Sequence, residues 1–321
     1  MMPFPVLGMR RRFNIRAMFV LKNVRPTSNS GRGAISRTLQ SLAAAAVLSL
    51  CMAGSVAAET LRFSPVSRAV IEDRLGQYGG SNRERQATLK RMFIEAGCGE
   101  HLSEQPVKHS KAPNLICVHP GTSGRVIIVG AHFDRVSAGD GVVDNWSGAS
   151  LLPSLFQAVA IEPRQHSYVF IGFTEEEAGL IGSRFYARQM TAAQIAATDA
   201  MVNMDTLGLA STNVVLHHSD KRLVLALGSI AKLVGLPVSG VNFEQVGSTD
   251  SESFVARKIP AISIHSLNQK AWNAQILHTS KDKLAAVRLD DYYDTYRLMA
   301  VYLVFLDHYF DPPDSGTPVK N

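Results

Sequence analysis

Residues 126–148, V-I-I-V-G-A-H-F-D-R-V-S-A-G-D-G-V-V-D-N-W-S-G, leave this chain few choices of fold. The β-branched run at their start has no polar alternation, as expected of a strand buried on both faces of a parallel or mixed sheet. His132 and Asp134 follow the run at once. After a loop with Gly and Ser come Asp144 and Asn145, just before an apolar helical pattern. Imidazole and carboxylate at the carboxyl end of a core strand sit where open α/β sheets place their ligands.

Two more apolar strands, predicted at residues 167–174 and 201–205, also end in acids: Glu175, Glu176 and Glu177 after the first, Asp205 at the end of the second. One such end could be a solvated cap. Three of them, with Asp144 at a helix entry, crowd several negative charges into one crevice, and that requires a cation. The donors are carboxylate and imidazole without thiolate, which suits zinc in an open catalytic site ahead of manganese or cobalt. Asp134, two residues beyond His132, is placed to orient the ring of a ligating histidine.

Around these segments, further strands are predicted at 102–108, 114–119, 214–217 and 261–266. Helices are predicted at 65–75, 83–96, 147–160 with Ser147 as its cap, 183–190, 192–197, 221–234 stopped by Gly235 and Pro237, 251–257 and 289–309. The alternation predicts an α/β chain with one domain, a mixed and centrally parallel β-sheet flanked by helices. With 46% of 321 residues hydrophobic, it can bury a full core.

The net charge of +6 misleads. Residues 1–58 hold eight Lys and Arg and no acid, leaving 25 basic against 27 acidic side chains beyond them. That remainder has no basic excess to argue for nucleic acid or an anionic membrane. The apolar run at 42–58 closes on small residues, the form of a secretory signal, and is shorter than a membrane-spanning helix needs. Residues 1–58 are thus expected to be a leader and 59–321 the folded domain, with a polar tail at 312–321. The expectation is an exported protein, periplasmic or secreted, without a stable membrane anchor. Cys98 and Cys117 then remain as an even count, and a disulfide between them is expected.

The segments G-A-H-F-D (130–134), V-D-N-W-S-G (143–148), F-T-E-E-E-A-G-L-I-G-S (173–183), N-M-D-T (203–206), S-T-D-S-E-S-F (248–254) and L-H-T (277–279) together resemble, in order, the co-catalytic zinc aminopeptidases of peptidase family M28. The resemblance implies a zinc-exopeptidase-like (phosphorylase/hydrolase-like) fold and two zinc ions per chain. By position, His132 and Asp205 would bind one zinc, Glu177 and His278 the other, and Asp144 would bridge them. Glu176 would be the general base, with Asp134 beside it in the catalytic set, and the substrate a peptide with a free amino terminus. Relatives carry a cis peptide after the bridging acid, here Asp144-Asn145.

Asp250 lies in a segment that borders the substrate cleft in relatives, so it is a candidate substrate-binding residue; an N-cap of the helix at 251–257 is an equal expectation. Trp146 departs from the family, standing where a small residue is usual, and would either narrow the cleft or fill space behind the loop. His217, His218, His265 and His308 fit no ligand spacing and are expected at strand ends and on the surface. Tyr292, Tyr293, Tyr296 and Tyr302 read as the core face of the last helix. Two other readings share the pattern: a glutaminyl-peptide cyclotransferase with a single working zinc, and a non-catalytic binding module on a peptidase fold.

Overall fold

The computed structural model describes residues 13–15, 59–108, 110–242 and 247–310. The leader and the tail expected at 312–321 lie outside the described residues, except that Phe13–Ile15 pair in parallel with Glu59–Leu61. Among the described residues no helix is long and apolar enough to cross a membrane.

Eight strands form one sheet: β1 (Leu102–Gln105), β2 (Asn114–His119), β3 (Val126–His132), β4 (Ser167–Phe173), β5 (Thr198–Met204), β6 (Thr212–Val215), β7 (Val238–Val241) and β8 (Ala261–His265). Their spatial order is β1-β2-β4-β3-β5-β8-β6-β7. The four central strands, β4, β3, β5 and β8, run parallel, while β1, β2 and β6 each meet a neighbour antiparallel. The expected α/β architecture, mixed and centrally parallel, is therefore present.

The helices are α1 (Arg68–Gly76), α2 (Asn82–Glu95), α3 (Ser147–Ala149), α4 (Leu152–Val159), α5 (Ile181–Gln189), α6 (Ala192–Ala197), α7 (Lys221–Val234), α8 (Ser251–Val255), α9 (Gln269–Asn273) and α10 (Leu289–Tyr309). They cover both faces of the sheet, which explains the unbroken apolar strands. In β3, Ile127, Val129 and Ala131 enter the larger core, while Ile128 enters the smaller one on the opposite face. Tyr292, Tyr296 and Tyr302 are fully buried along α10, and Tyr293 packs against the same core, as their spacing predicted. Cys98, just past α2, is bonded to Cys117 in β2.

Local chemistry sets the ends of these elements. A capping box of Ser81 and Glu84 starts α2, and Asp220 accepts the amide hydrogens of Arg222 and Leu223 to start α7. Gly235 ends α7 at φ 69°, the left-handed conformation that glycine adopts most readily. The single helix expected at 147–160 is instead two, α3 and α4, with Pro153 in the first turn of α4, because proline has no amide hydrogen to continue a helix through that point. Ser147 is not a cap: its backbone is helical, its hydroxyl donates to the Val143 carbonyl at 2.7 Å, and it accepts the Leu207 amide at 2.8 Å.

Candidate active site

The ends of three parallel strands build one edge of the crevice. His132 closes β3, the loop after β4 carries Glu175–177, and Asp205 follows β5, its amide donating to Ile264 at 2.9 Å. Because β3, β4 and β5 run in one direction, all three ends lie on the same edge of the sheet. Asp144 arrives from the loop after β3, and His278 from the loop after α9.

Asp134 ties two of these ends together. It is 1% exposed, and its two oxygens accept the backbone amides of Glu176 at 3.0 Å and Glu177 at 3.2 Å. One of those oxygens is also 3.4 Å from His132 Nδ1. A proton on Nδ1, facing Asp134, leaves the Nε2 lone pair of His132 turned toward the acids.

The acids and histidines fall into two triads, His132 with Glu176 and Asp205, and Asp144 with Glu177 and His278; donor atoms within each lie within 4.8 Å of one another. Asp144 spans both. One of its oxygens is 3.3 Å from His132 Nε2 and the other 3.2 Å from His278 Nε2, which is itself 2.9 Å from Glu177. Glu176 is 3.8 Å from His132 Nε2 and Asp205 is 3.6 Å from it. Asp134, Asp144, Glu176, Glu177, Asp205, His132 and His278 thus lie together around one crevice.

The bond Asp144-Asn145 is cis. The turn around it is held by residues that sequence reasoning gave no such part. Both Asp282 oxygens accept amides, from Val143 at 2.7 Å and Asp144 at 3.1 Å. Asn145 accepts the Gly148 amide at 2.9 Å and donates to the Met204 carbonyl at 2.9 Å. A Cβ on Gly148 would stand 2.5 Å from that same carbonyl, so only glycine lets the two segments approach this closely.

Beneath the turn lies Arg85, with no exposed surface. It donates to the carbonyls of Phe133, Tyr78, Asp140 and Gly141 at 2.5–3.1 Å, and it stacks 5.0 Å from the Trp146 ring centroid. Trp146 is fully buried, donates to the Arg74 carbonyl at 3.0 Å and is absent from the cavity wall; it fills space behind the loop. Glu175, Thr206 and His278, each at or beside a strand end or ligand, hold left-handed φ values of 54°, 57° and 56°, uncommon for side chains of their type.

Charge crowding shows in the titration of the site. Burial pushes Glu176 up to about 10, with Asp250, Asp205 and Asp144 adding to the push against the pull of His132. Burial and Asp144 carry Glu177 to about 7. His278 rises to about 9, chiefly through its hydrogen bond to Asp144. His132, which burial alone would lower, is raised by the charges of Glu176 and Asp205. Both ring nitrogens of His132 and one oxygen of Glu177 are buried without a hydrogen-bond partner. Unpaired imidazole nitrogen, concentrated carboxylate and a hard–borderline donor set fit a divalent metal centre, and a dication there would pull the acids back toward their ionised form.

Asp144, Glu176, Glu177, Asp205 and His278 line a cavity of about 870 Å³. Gly247, Ser248 and Thr249 reach its wall, whereas Asp250 does not. Asp250 is fully buried, its carboxyl raised to about 7, first by burial. It is not a cap either: its backbone is helical and its side chain makes no capping bond.

Comparison with known proteins agrees with this geometry. The sequence profile of peptidase family M28 matches residues 114–303. The chain belongs to that family. It is 29% identical over 151 residues to leupeptin-inactivating enzyme 1 of Streptomyces exfoliatus, covering 46% of this chain and 34% of the other. It is 30% identical over 127 residues to aminopeptidase YwaD of Bacillus subtilis, covering 39% and 26%. The chain thus spans about a third of the length of such relatives or less. Among solved structures, the fold is similar to the LapA aminopeptidase of Legionella pneumophila, with a TM-score of 0.67 at 21% identity over 75% of this chain and 72% of that one. It is also similar to a glutaminyl cyclase from an Acidobacteriales bacterium, with a TM-score of 0.61 at 17% identity over 76% and 97%.

Proposed function

We propose that this chain is an exported zinc aminopeptidase that removes the first residue of peptides with a free amino terminus. The observation that carries the reading is Asp144, whose two oxygens face two separate His-carboxylate groups. In this assignment His132, Asp144 and Asp205 hold one zinc ion, and Asp144, Glu177 and His278 the other. Relatives named as aminopeptidases, and the similarity to a zinc aminopeptidase of Bacillus subtilis, support zinc and this activity. The acid-free basic leader supports export.

Bound zinc would supply Lewis acidity and make water acidic enough to lose a proton near neutral pH. Glu176 is the residue placed to take a proton from water and to return it to the leaving amine. Its place within 3.8 Å of His132, beside the groups that would hold the metal, suits a group that accepts a proton and gives it back. Asp134 braces the site for this exchange: it accepts the amides of Glu176 and Glu177 and lies 3.4 Å from the His132 ring. The acids that line the cavity would draw the free α-amine of the substrate, and Val215, Leu267, Trp272, Ile276 and Leu277 would offer its side chain apolar surface.

The test is release of p-nitroaniline from leucine p-nitroanilide and from its N-acetylated form by the full chain with zinc. The reading expects turnover of the first and none of the second. Turnover of both would move the enzyme to an endopeptidase or amidase class, and cyclisation of an amino-terminal Gln peptide without anilide turnover would favour the cyclotransferase reading instead.

A further inference from the structure

The groups assigned to zinc are not held in place equally well. His132 ends β3 and Asp205 follows β5, two parallel strands paired at the centre of the sheet, so the sheet itself sets their separation. Glu177 is anchored through its amide, which donates to Asp134. Asp144 and His278 have neither support. Asp144 lies in the turn after β3, and His278 in the segment between α9 and α10, with a left-handed φ of 56° and a side chain 56% exposed. Their side chains nevertheless stand 3.2 Å apart.

Asp282 joins these two segments. Its carboxylate accepts the amides of Val143 at 2.7 Å and Asp144 at 3.1 Å, and its main-chain carbonyl accepts the amide of Asp140 at 2.7 Å. Its own amide donates to the Thr279 carbonyl at 3.1 Å, closing a turn that starts at the residue after His278. A Cβ on Gly139 would stand 2.4 Å from that Thr279 carbonyl and 3.0 Å from the Asp282 carbonyl, so the segments meet backbone to backbone. Asp282 is 2% exposed. Buried amides that lost it as acceptor would be costly to leave unpaired, and the main chain would have to shift.

We infer that Asp282 is a positioning residue that holds the Asp144 turn against the His278 segment and thereby sets the metal affinity of the Asp144–Glu177–His278 group selectively. The inference rests on the two-zinc reading above and adds to it a residue outside the ligand set. Residues that orient ligands in this way carry about 10- to 100-fold in metal affinity. The other group shares Asp144, but His132 and Asp205 keep their strand-end places when the turn moves, so it should suffer less.

The test is zinc binding by the chelator-treated full chain, read by competition with a chromophoric chelator. The binding step lost in His278→Ala identifies the second site. Asp282→Asn, with one acceptor left for two amides, should weaken that step by ~10-fold or more and leave the other within about 2-fold. Asp282→Glu keeps the charge but adds a methylene in a packed place, and it should weaken the same step. The step that survives reports that each variant is folded. Equal weakening of both steps, or a second step unchanged in Asp282→Asn, overturns the inference. Weakening in Asp282→Asn with normal binding in Asp282→Glu also overturns it, because charge alone would then be at work. A wild type that binds a single ion would count against the two-zinc reading; the affinity of the two variants for that ion, lower by ~10-fold or unchanged, would then support or overturn the role of Asp282.

Discussion

Glu176 and Glu177 are neighbours in sequence, yet their carboxylates face different triads. Their substitutions should therefore fail differently. Glu176→Gln should keep near-normal zinc and lose kcat by ~100-fold or more, whereas Glu177→Ala should lose zinc; metal analysis beside steady-state kinetics checks both. Equal zinc loss in the two variants would contradict the assignment. Arg85 makes a second prediction at this scale. Its guanidinium satisfies four main-chain carbonyls under the metal-site loop, so Arg85→Met should cost at least about 3 kcal/mol in denaturant unfolding, since several buried carbonyls lose their donor. Less than about 1 kcal/mol would show that water or repacking replaces it. The contrast between these residues explains what was legible in the sequence. His132, Asp134, Asp144, Glu176, Glu177 and Asp205 announce themselves because each stands beside a local element boundary. Arg85 and Asp282 do not, because three of the four carbonyls that Arg85 meets lie 48 to 56 residues away and the amides that Asp282 accepts lie 138 to 139 away, and a single sequence carries no sign of them.

The central parallel strands do the positioning, and their ends were readable because an apolar run that stops at a charged residue marks both the strand and its functional edge. Less was readable where burial is partial or length is short. Strand β7 has four half-buried residues, and α9 only five, too few to show a period. At the sheet edge opposite the site, three elements are fastened by one histidine. His166, just before β4, contacts Asp307 of α10 at 3.1 Å and Asp199 of β5 at 3.0 Å, and Asp199 also pairs with Arg125. Burial alone would lower the His166 pKa, but Asp307 and Asp199 outweigh it and raise it. Burial alone would raise Asp307, but His166 and the amides of His166 and Gln165 outweigh it and lower it. The raised histidine contributes stability that is complete below its ordinary value of 6.5 and is lost as pH climbs through the raised one. The lowered carboxyl contributes stability that is complete above its ordinary value of 3.8 and is lost as pH falls through the lowered one. Both contributions are therefore in force between those two values. Urea unfolding of the wild type should lose more stability between pH 6 and 9 than His166→Asn does; parallel pH profiles would contradict this role.

At the scale of the whole molecule, two cores on opposite faces of one sheet hold a crevice dense with negative charge. Folding assembles the crevice against its own repulsion, so a bound dication should stabilise the chain by linkage as well as equip it for chemistry. Chelation should lower the melting temperature, and zinc should restore it; an unchanged melting temperature would mean that the ion does not bind the folded site. The most direct measurement joins stoichiometry to activity. Chelator-treated full chain is titrated with zinc while leucine p-nitroanilide hydrolysis is followed, in the wild type and in Glu176→Gln. The account predicts no hydrolysis without metal, a rise that saturates at two zinc ions per chain, and the same zinc uptake with little hydrolysis in Glu176→Gln. Hydrolysis by metal-free protein, or full activity in Glu176→Gln, would contradict it.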